Sequence, residues 1–169
     1  MPVLLFPFAT ASLLLSGAIF GFFYAWICST MWGLDAMDPR GAIAAMQAMN
    51  ASVRNAVFAP AFFGTPVVLF VTGALALVLG IRAAGLAFLA AGAVYLLGGM
   101  VLTITVNVPM NAALAEVHIP DSREAAAEIW AAYSPRWQVF NVLRTVASGL
   151  ALLLAGIGLV LSGRFLAFR

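Results

Sequence analysis

Asn107 and Asn111 stand one helical turn apart in VNVPMNAAL, with Pro109 between them. Trp137, Asn141 and Arg144 recur at i, i+4 and i+7 in WQVFNVLR, a spacing that puts all three on one face of a helix. Gln47, Asn50 and Arg54 likewise share a face, at i, i+3 and i+7 in QAMNASVR, and Asn55 follows directly. Each set adjoins a strongly apolar run, so carboxamides and guanidiniums can meet inside a low-dielectric shell. Donors of this kind, aimed at a developing oxyanion, are worth roughly 3 kcal/mol each. They suit a planar substrate that becomes an enolate or phenolate. They suit a quinone headgroup equally well, so turnover and simple binding both stay open.

Other chemistries are poorly supplied. The single cysteine, Cys28, excludes an internal disulfide framework and a thiolate metal cluster. With one histidine, His118, a protein-held metal would have to lean on carboxylates, and none is expected. No Ser, His and Asp arrangement suggests a hydrolase, and no glycine-rich phosphate loop follows a strand. The eight basic residues are all arginines, scattered through a chain of net charge +2. That is not a basic stripe, and nucleic acid is not an expected partner. Arginine without lysine, in a chain rich in Ala, Gly and Leu, points to a bacterial source.

The elements that position these residues follow from composition. The 169 residues are 64% hydrophobic and 8% charged, against roughly 25% charged in soluble domains. Lipid must therefore solvate most of the chain. Four runs are long enough to cross a bilayer, about 8–31, 57–79, 86–108 and 139–161. The expected fold is all-α: an integral membrane four-helix bundle forming one domain over 1–169, with short extramembrane helices in its two long loops. No basic residue precedes the first run, which is too long for a signal-peptide core and should be retained.

Asp38 with Pro39 predicts a helix start in the first long loop, and Asp121 with Glu124 has capping-box spacing in the second. Capping alone accounts for these acids. Ser134 with Pro135 predicts a third cap, opening the last span. Gly17, Gly21 and Ala25 on the first span, and Gly92 and Gly99 on the third, predict faces of close helix approach. Pro60 and Pro66 interrupt the second span, where neighbouring helices or water must satisfy the freed carbonyls.

With four spans, both termini and the short hairpin at Arg82 share one side, and all the polar sets share the other. Arg82, Arg164 and Arg169 fall on the first side, and Arg40 and Arg123 on the second. If Arg54, Arg136 and Arg144 are partly buried, the positive-inside rule places the termini in the cytoplasm. Trp26 and Tyr24 either line the polar pocket or mark the membrane interface.

The chain resembles the anthrone oxygenase family of small four-span membrane proteins over nearly its whole length. The likeness lies in GFFYAWICSTMWGL, AMQAMNASVRNAVF, VNVPMNAAL and WQVFNVLRTVAS. Asn107, Pro109, Asn111, Asn141, Arg144 and Thr145 match its most specific motifs, and Asn50 and Asn55 match the asparagines of the second segment. Arg54 is not part of that pattern. Phe140 stands where a tryptophan is common, and Trp32 where a proline is common.

The resemblance implies oxidation of an anthrone to an anthraquinone by O2 in a bacterial inner membrane, with O2 as co-substrate and no tightly bound cofactor. Arg144, Asn107, Asn111 and Asn141 would hold the anionic oxygen. Asn50, Asn55 and Trp137 would contact the substrate, with Arg54 joining them on helix spacing alone, and His118, Glu116 or water would be the base. The competing class is a non-enzymatic quinone- or lipid-binding module, or an accessory subunit of a membrane complex. A transporter would need an internal repeat that the chain lacks. A small aromatic or quinone and the bilayer are the expected partners, and the sequence leaves room for a homo-oligomer.

Overall fold

The computed structural model describes the backbone over residues 2–167 and the side chains over 4–163. Five helices form it: α1 (Leu4–Ala36), α2 (Pro39–Ser52), α3 (Phe58–Val78), α4 (Arg82–Ala115) and α5 (Arg123–Ala167). α1, α3, α4 and α5 are each long and apolar enough to span a membrane, so the protein is an all-α, multi-pass bundle. Large exposed apolar side chains run along α3 from Val57 to Val78, α4 from Leu86 to Val108 and α5 from Val139 to Val160. Those stretches coincide with three of the four runs expected from sequence.

The helices outgrow the bilayer at one end. α5 has 45 residues, about 68 Å at 1.5 Å per residue, against a hydrocarbon core of about 30 Å. The helix expected in the second long loop is present, but it is fused to the last span. Pro135 sits inside α5 and opens nothing. Ser134 is not a cap, since its hydroxyl donates to the Asp35 carboxylate on α1 at 2.7 Å. Trp130 Nε1 and Gln138 Nε2 donate to the same carboxylate at 2.9 Å each. The α5 start is capped by Ser122, which accepts from the Ala125 N–H and donates to Glu124. Asp121 instead offers its carbonyl to Arg40.

α2 begins as the sequence predicts. The Asp38 carboxylate accepts from the Arg40 N–H at 3.0 Å, Pro39 follows at the first helical position, and the Arg40 guanidinium closes an ion pair at 2.9 Å. α2 lies across the protruding ends, where Ile43, Met46, Leu114, Trp130 and Trp137 form a core of their own. A second core, around Ile19, Phe62, Leu69, Phe88 and Tyr95, fills the bundle. A third, smaller one closes the end near the termini.

The α3–α4 hairpin turns at Gly80, whose φ of +79° suits a residue without a Cβ. Below the turn, Gly73 and Gly85 face each other: a Cβ on Gly85 would stand 2.6 Å from Leu77 and 3.0 Å from the Gly73 carbonyl. Gly92 receives the Phe70 ring. The Gly17 and Gly21 stripe behaves differently, because a Cβ at either would meet nothing within 4 Å. That face of α1 is open in the monomer and is not a helix seam. Further along, Pro66 frees the Phe62 carbonyl, and the buried Tyr95 hydroxyl from α4 donates to it at 2.9 Å. Beyond that bond no substantial packing joins the start of α3 to the far half of α4.

Three wide, π-helical turns occur at that level, Trp26–Thr30 in α1 and Tyr95–Val101 and Thr103–Asn107 in α4. The last ends just before Pro109, so α4 absorbs the proline by widening the preceding turn rather than by breaking.

Two outcomes test this account. Gly85→Val should lose about 1–3 kcal/mol by overpacking, read as unfolding in detergent micelles. Gly17→Ala should be neutral or slightly stabilising, since alanine is the better helix former. The Arg40 side chain holds the Asp38 carboxyl down at about 2, from 3.8. The cap is then complete above the ordinary carboxylate range and fails as pH falls towards the folded value. The melting difference between wild type and Asp38→Asn should therefore shrink from roughly pH 5 to pH 2.5.

Candidate functional site

Where α3 and α4 part, a cavity of about 1110 Å³ opens between α1, α3, α4 and α5, roofed by the α2–α3 connection. Its volume lies just above the range of about 300–1,000 Å³ usual for small-molecule sites. The walls are aromatic: Phe22, Phe23 and Trp26 from α1, Phe58, Phe62 and Phe63 from α3, and Trp137 from α5. No Asp, Glu, His, Cys or Tyr lines it. Among the described residues, no group of three or more His, Cys, Asp or Glu is placed to hold a metal ion.

Arg144 is the centre of the polar wall. Its side chain is 4% exposed, yet it lines the cavity. The guanidinium carbon lies 4.4 Å from the Phe23 ring centroid and 4.9 Å from that of Trp137, a cation–π sandwich. Nε donates to Asn141 Oδ1 at 2.9 Å, and Nη1 reaches Thr103 Oγ1 at 3.4 Å. The only ion pair among the described residues joins Arg40 and Asp38, so Arg144 has no carboxylate partner there. A buried cation held by neutral groups and open to a cavity can offer charge-assisted hydrogen bonds to an electron-rich group placed there.

The neighbours of Arg144 are held in turn by hydrogen bonds of their own. Asn141, 1% exposed, donates Nδ2 to the Phe23 main-chain carbonyl at 3.3 Å, just before the first wide turn of α1. Asn111 Oδ1 accepts from both Trp137 Nε1 and Tyr133 Oη at 2.8 Å, and its Nδ2 donates to Asn50 Oδ1 at 2.9 Å. One carboxamide thus ties α2, α4 and α5 together and sets the plane of the Trp137 ring. Gln47 donates to the Leu114 and Val117 carbonyls, closing the end of α4.

Of the residues singled out in the sequence, Asn50, Arg54, Asn55, Asn111, Trp137 and Arg144 line the cavity. Asn55 also caps α3, accepting from the Val57 and Phe58 N–H groups at 2.8 and 2.9 Å. Arg54 is exposed at the outer end of the cavity. Asn141 reaches the site only through Arg144. Asn107 is fully buried outside the lining, with neither side-chain atom bonded to another protein group. The Asn50 Nδ2 is buried and unpartnered as well. His118 and Glu116 are exposed beyond the end of α4 and outside the lining.

Trp26 lines the cavity, whereas Tyr24 faces outward. Arg54 and Arg136 are exposed, so only Arg144 meets the burial condition for assigning the termini to the cytoplasm. Arg169 and the side chain of Arg164 lie outside the described residues.

Sequence reasoning missed Tyr133, Thr103, Asp35 and the phenylalanine walls. Tyr133 was within reach, since it continues the Trp137, Asn141 and Arg144 face by one turn. Trp130, Ser134 and Gln138, at steps of four, mark a second face that meets Asp35. The wide turns have no signal of their own beyond Pro109.

Asn111→Leu should destabilise the fold by about 3 kcal/mol, because it strands the Tyr133 hydroxyl, the Trp137 indole N–H and the Asn50 carbonyl together. Urea or thermal unfolding in micelles would read the loss, and a change within measurement error would remove Asn111 from this role.

No curated protein and no solved structure matches the chain. A family model described as anthrone oxygenase matches residues 54–154, more than half of the chain and most of the cavity-lining segments. With that match, the chain belongs to the anthrone oxygenase family.

Proposed function

We propose that the protein oxidises a planar phenolic or anthrone-type aromatic with O2 inside a bacterial inner membrane, without a tightly bound cofactor. The observation that carries this reading is Arg144, a buried cation without a carboxylate, facing a cavity walled by aromatic rings. Its family membership supports an oxygenase-like role.

In this reading the flat ligand stacks among Phe22, Phe58, Phe62 and Trp137, and its oxygen points at Arg144. The guanidinium stabilises the enolate over the keto form, so the activated methylene loses a proton more readily. With no titratable acid, imidazole, thiol or phenol on the wall, water at the Arg54 and Asn55 end takes that proton. The electron-rich carbon then adds O2, which accepts the electron pair in two one-electron steps to give a carbon-bound peroxide. Protonation and loss of water, with departure of the second methylene hydrogen, leave the new carbonyl. One anthrone and one O2 thus give one anthraquinone and one water. Catalysis here is electrostatic and positional.

The same bare wall favours a second reading, binding of a quinone without turnover, because a dedicated base is missing from the lining.

The test is aerobic conversion of a hydroxylated anthrone by chelator-treated protein in micelles, against a protein-free blank. Arg144→Met should lower the enzymatic rate by about 100-fold or more, the scale of losing one oxyanion donor. Its melting temperature should change little, because removal of a costly buried charge offsets the stranding of the Asn141 amide oxygen. Wild-type conversion equal to the blank would overturn the oxygenase reading, and tight retention of the anthraquinone in that case would establish the binding one.

A further inference from the structure

The cavity has no wall on one side at the level of the lipid. Four of its lining residues are also large apolar side chains exposed on the outside of the bundle: Val57 is 89% exposed, Phe63 55%, Ile104 44% and Val108 40%. Val57 stands just before α3 and Phe63 next to the Tyr95 to Phe62 bond, while Ile104 and Val108 lie on α4 beyond it, where no substantial packing joins the two helices. All four fall within the apolar stretches of Val57–Val78 and Leu86–Val108 that lipid must cover. Arg54 and Glu116, exposed just outside those stretches, mark where water begins. The side opening therefore meets hydrocarbon rather than water.

Chemistry along the cavity is graded. At its inner wall are Arg144, a cation without an ion-pair partner among the described residues, and the unpartnered Nδ2 of Asn50. In the middle are the aromatic rings. At the outer edge there are only hydrocarbon side chains. A rigid, tail-less tricycle satisfies the first two zones and leaves the third in contact with lipid chains.

From this gradient we infer that the site takes its ligand sideways from the bilayer, through the cleft between α3 and α4. The ligand is a membrane-dissolved amphiphile: a hydroxylated or quinonoid aromatic head at Arg144, and an alkyl or prenyl substituent lying between Phe63 and Ile104. The inference rests on the reading of the cavity as the ligand site, and narrows the ligand class. It does not depend on whether oxidation follows. Apolar groups in the cleft exchange lipid contact for protein contact, so the tail gives orientation, and the head gives most of the affinity.

The experiment uses the full chain in phosphatidylcholine vesicles and two probes, a hydroxynaphthoquinone and the same ring bearing a decyl chain. Probe retained by protein is measured at fixed lipid, so that partition into the membrane is the same for every variant. Ile104→Trp and, separately, Val108→Trp narrow the cleft, and Leu97→Trp adds the same bulk to the lipid face of α4 outside the cavity lining. The cleft variants should reduce retention of the decyl probe about tenfold more than that of the short one. Leu97→Trp should retain both probes as wild type does, which separates closure of the cleft from the general effect of an added indole.

Equal losses of both probes, or no loss of either, in the narrowing variants would overturn the lateral route and leave the Arg144 site standing. Failure of wild type to hold either probe would overturn the ligand site itself, and the lateral route with it.

Discussion

A positive charge sits inside a bundle dissolved in hydrocarbon, and among the described residues no carboxylate comes to meet it. On insertion scales an arginine at mid-membrane costs roughly 3 kcal/mol, and Arg144 is placed between Val139 and Val160, the limits of the lipid-facing part of α5. The fold reduces that cost with neutral groups: two ring faces, an amide oxygen and a threonine hydroxyl. Each of these must itself be held. Asn141 is tied to the α1 backbone, and the Trp137 ring is set by Asn111, which is oriented in turn by Tyr133 and Asn50. The dependence runs outward from one guanidinium to four helices.

This explains why the molecule has so much structure beyond the bilayer. Asn50 can meet Asn111 only if α2 is laid across the protruding ends of α4 and α5. That placement is fixed by Gln47 on the end of α4, by Arg40 on the Asp121 carbonyl and by a water-side core built on Trp130 and Met46. Asp35 adds the missing connection between α1 and α5. In the membrane the helices associate through glycine contacts and the Ser12–Thr72 hydrogen bond, because lipid offers no hydrophobic drive for helix pairing. Above it, ordinary burial takes over. One chain uses two solvents, and the cavity lies where they meet.

Much of this was legible in the sequence. Hydropathy located the lipid-facing stretches, because solvation by lipid acts on composition alone. Helical spacing brought Asn50, Asn111, Trp137 and Arg144 to one end, because periodicity constrains which residues share a face. Three things escaped, each for a tertiary reason. A cap competes with continuation of the helix: Ser134 and Pro135 read as a start until Asp35 arrives from α1 to occupy the hydroxyl. A glycine stripe says that close approach is allowed, and only the partner's presence makes it happen. Gly73 and Gly85 have such a partner in the hairpin, whereas Gly17 and Gly21 have none in the monomer. Asn107 stands one turn from Asn111 but is fully buried outside the cavity lining, a placement decided by how the neighbouring helices pack rather than by spacing along one helix.

The Tyr95 hydroxyl on the Phe62 carbonyl places the boundary between a closed seam and an open cleft on a single side chain. On the turn side of it, glycine contacts lock α3 and α4 together, and any change there disturbs the whole hairpin. On the far side nothing is locked. Pro66 has already removed the helix's own claim on that carbonyl, so the start of α3 is held at this point by its neighbour rather than by itself. Cavity width and bundle integrity are thereby separable traits: relatives could widen, narrow or reshape the pocket through α3 between Val57 and Phe63 while the seam below stays intact. A family built on this plan can diversify its ligands without rebuilding its membrane anchor.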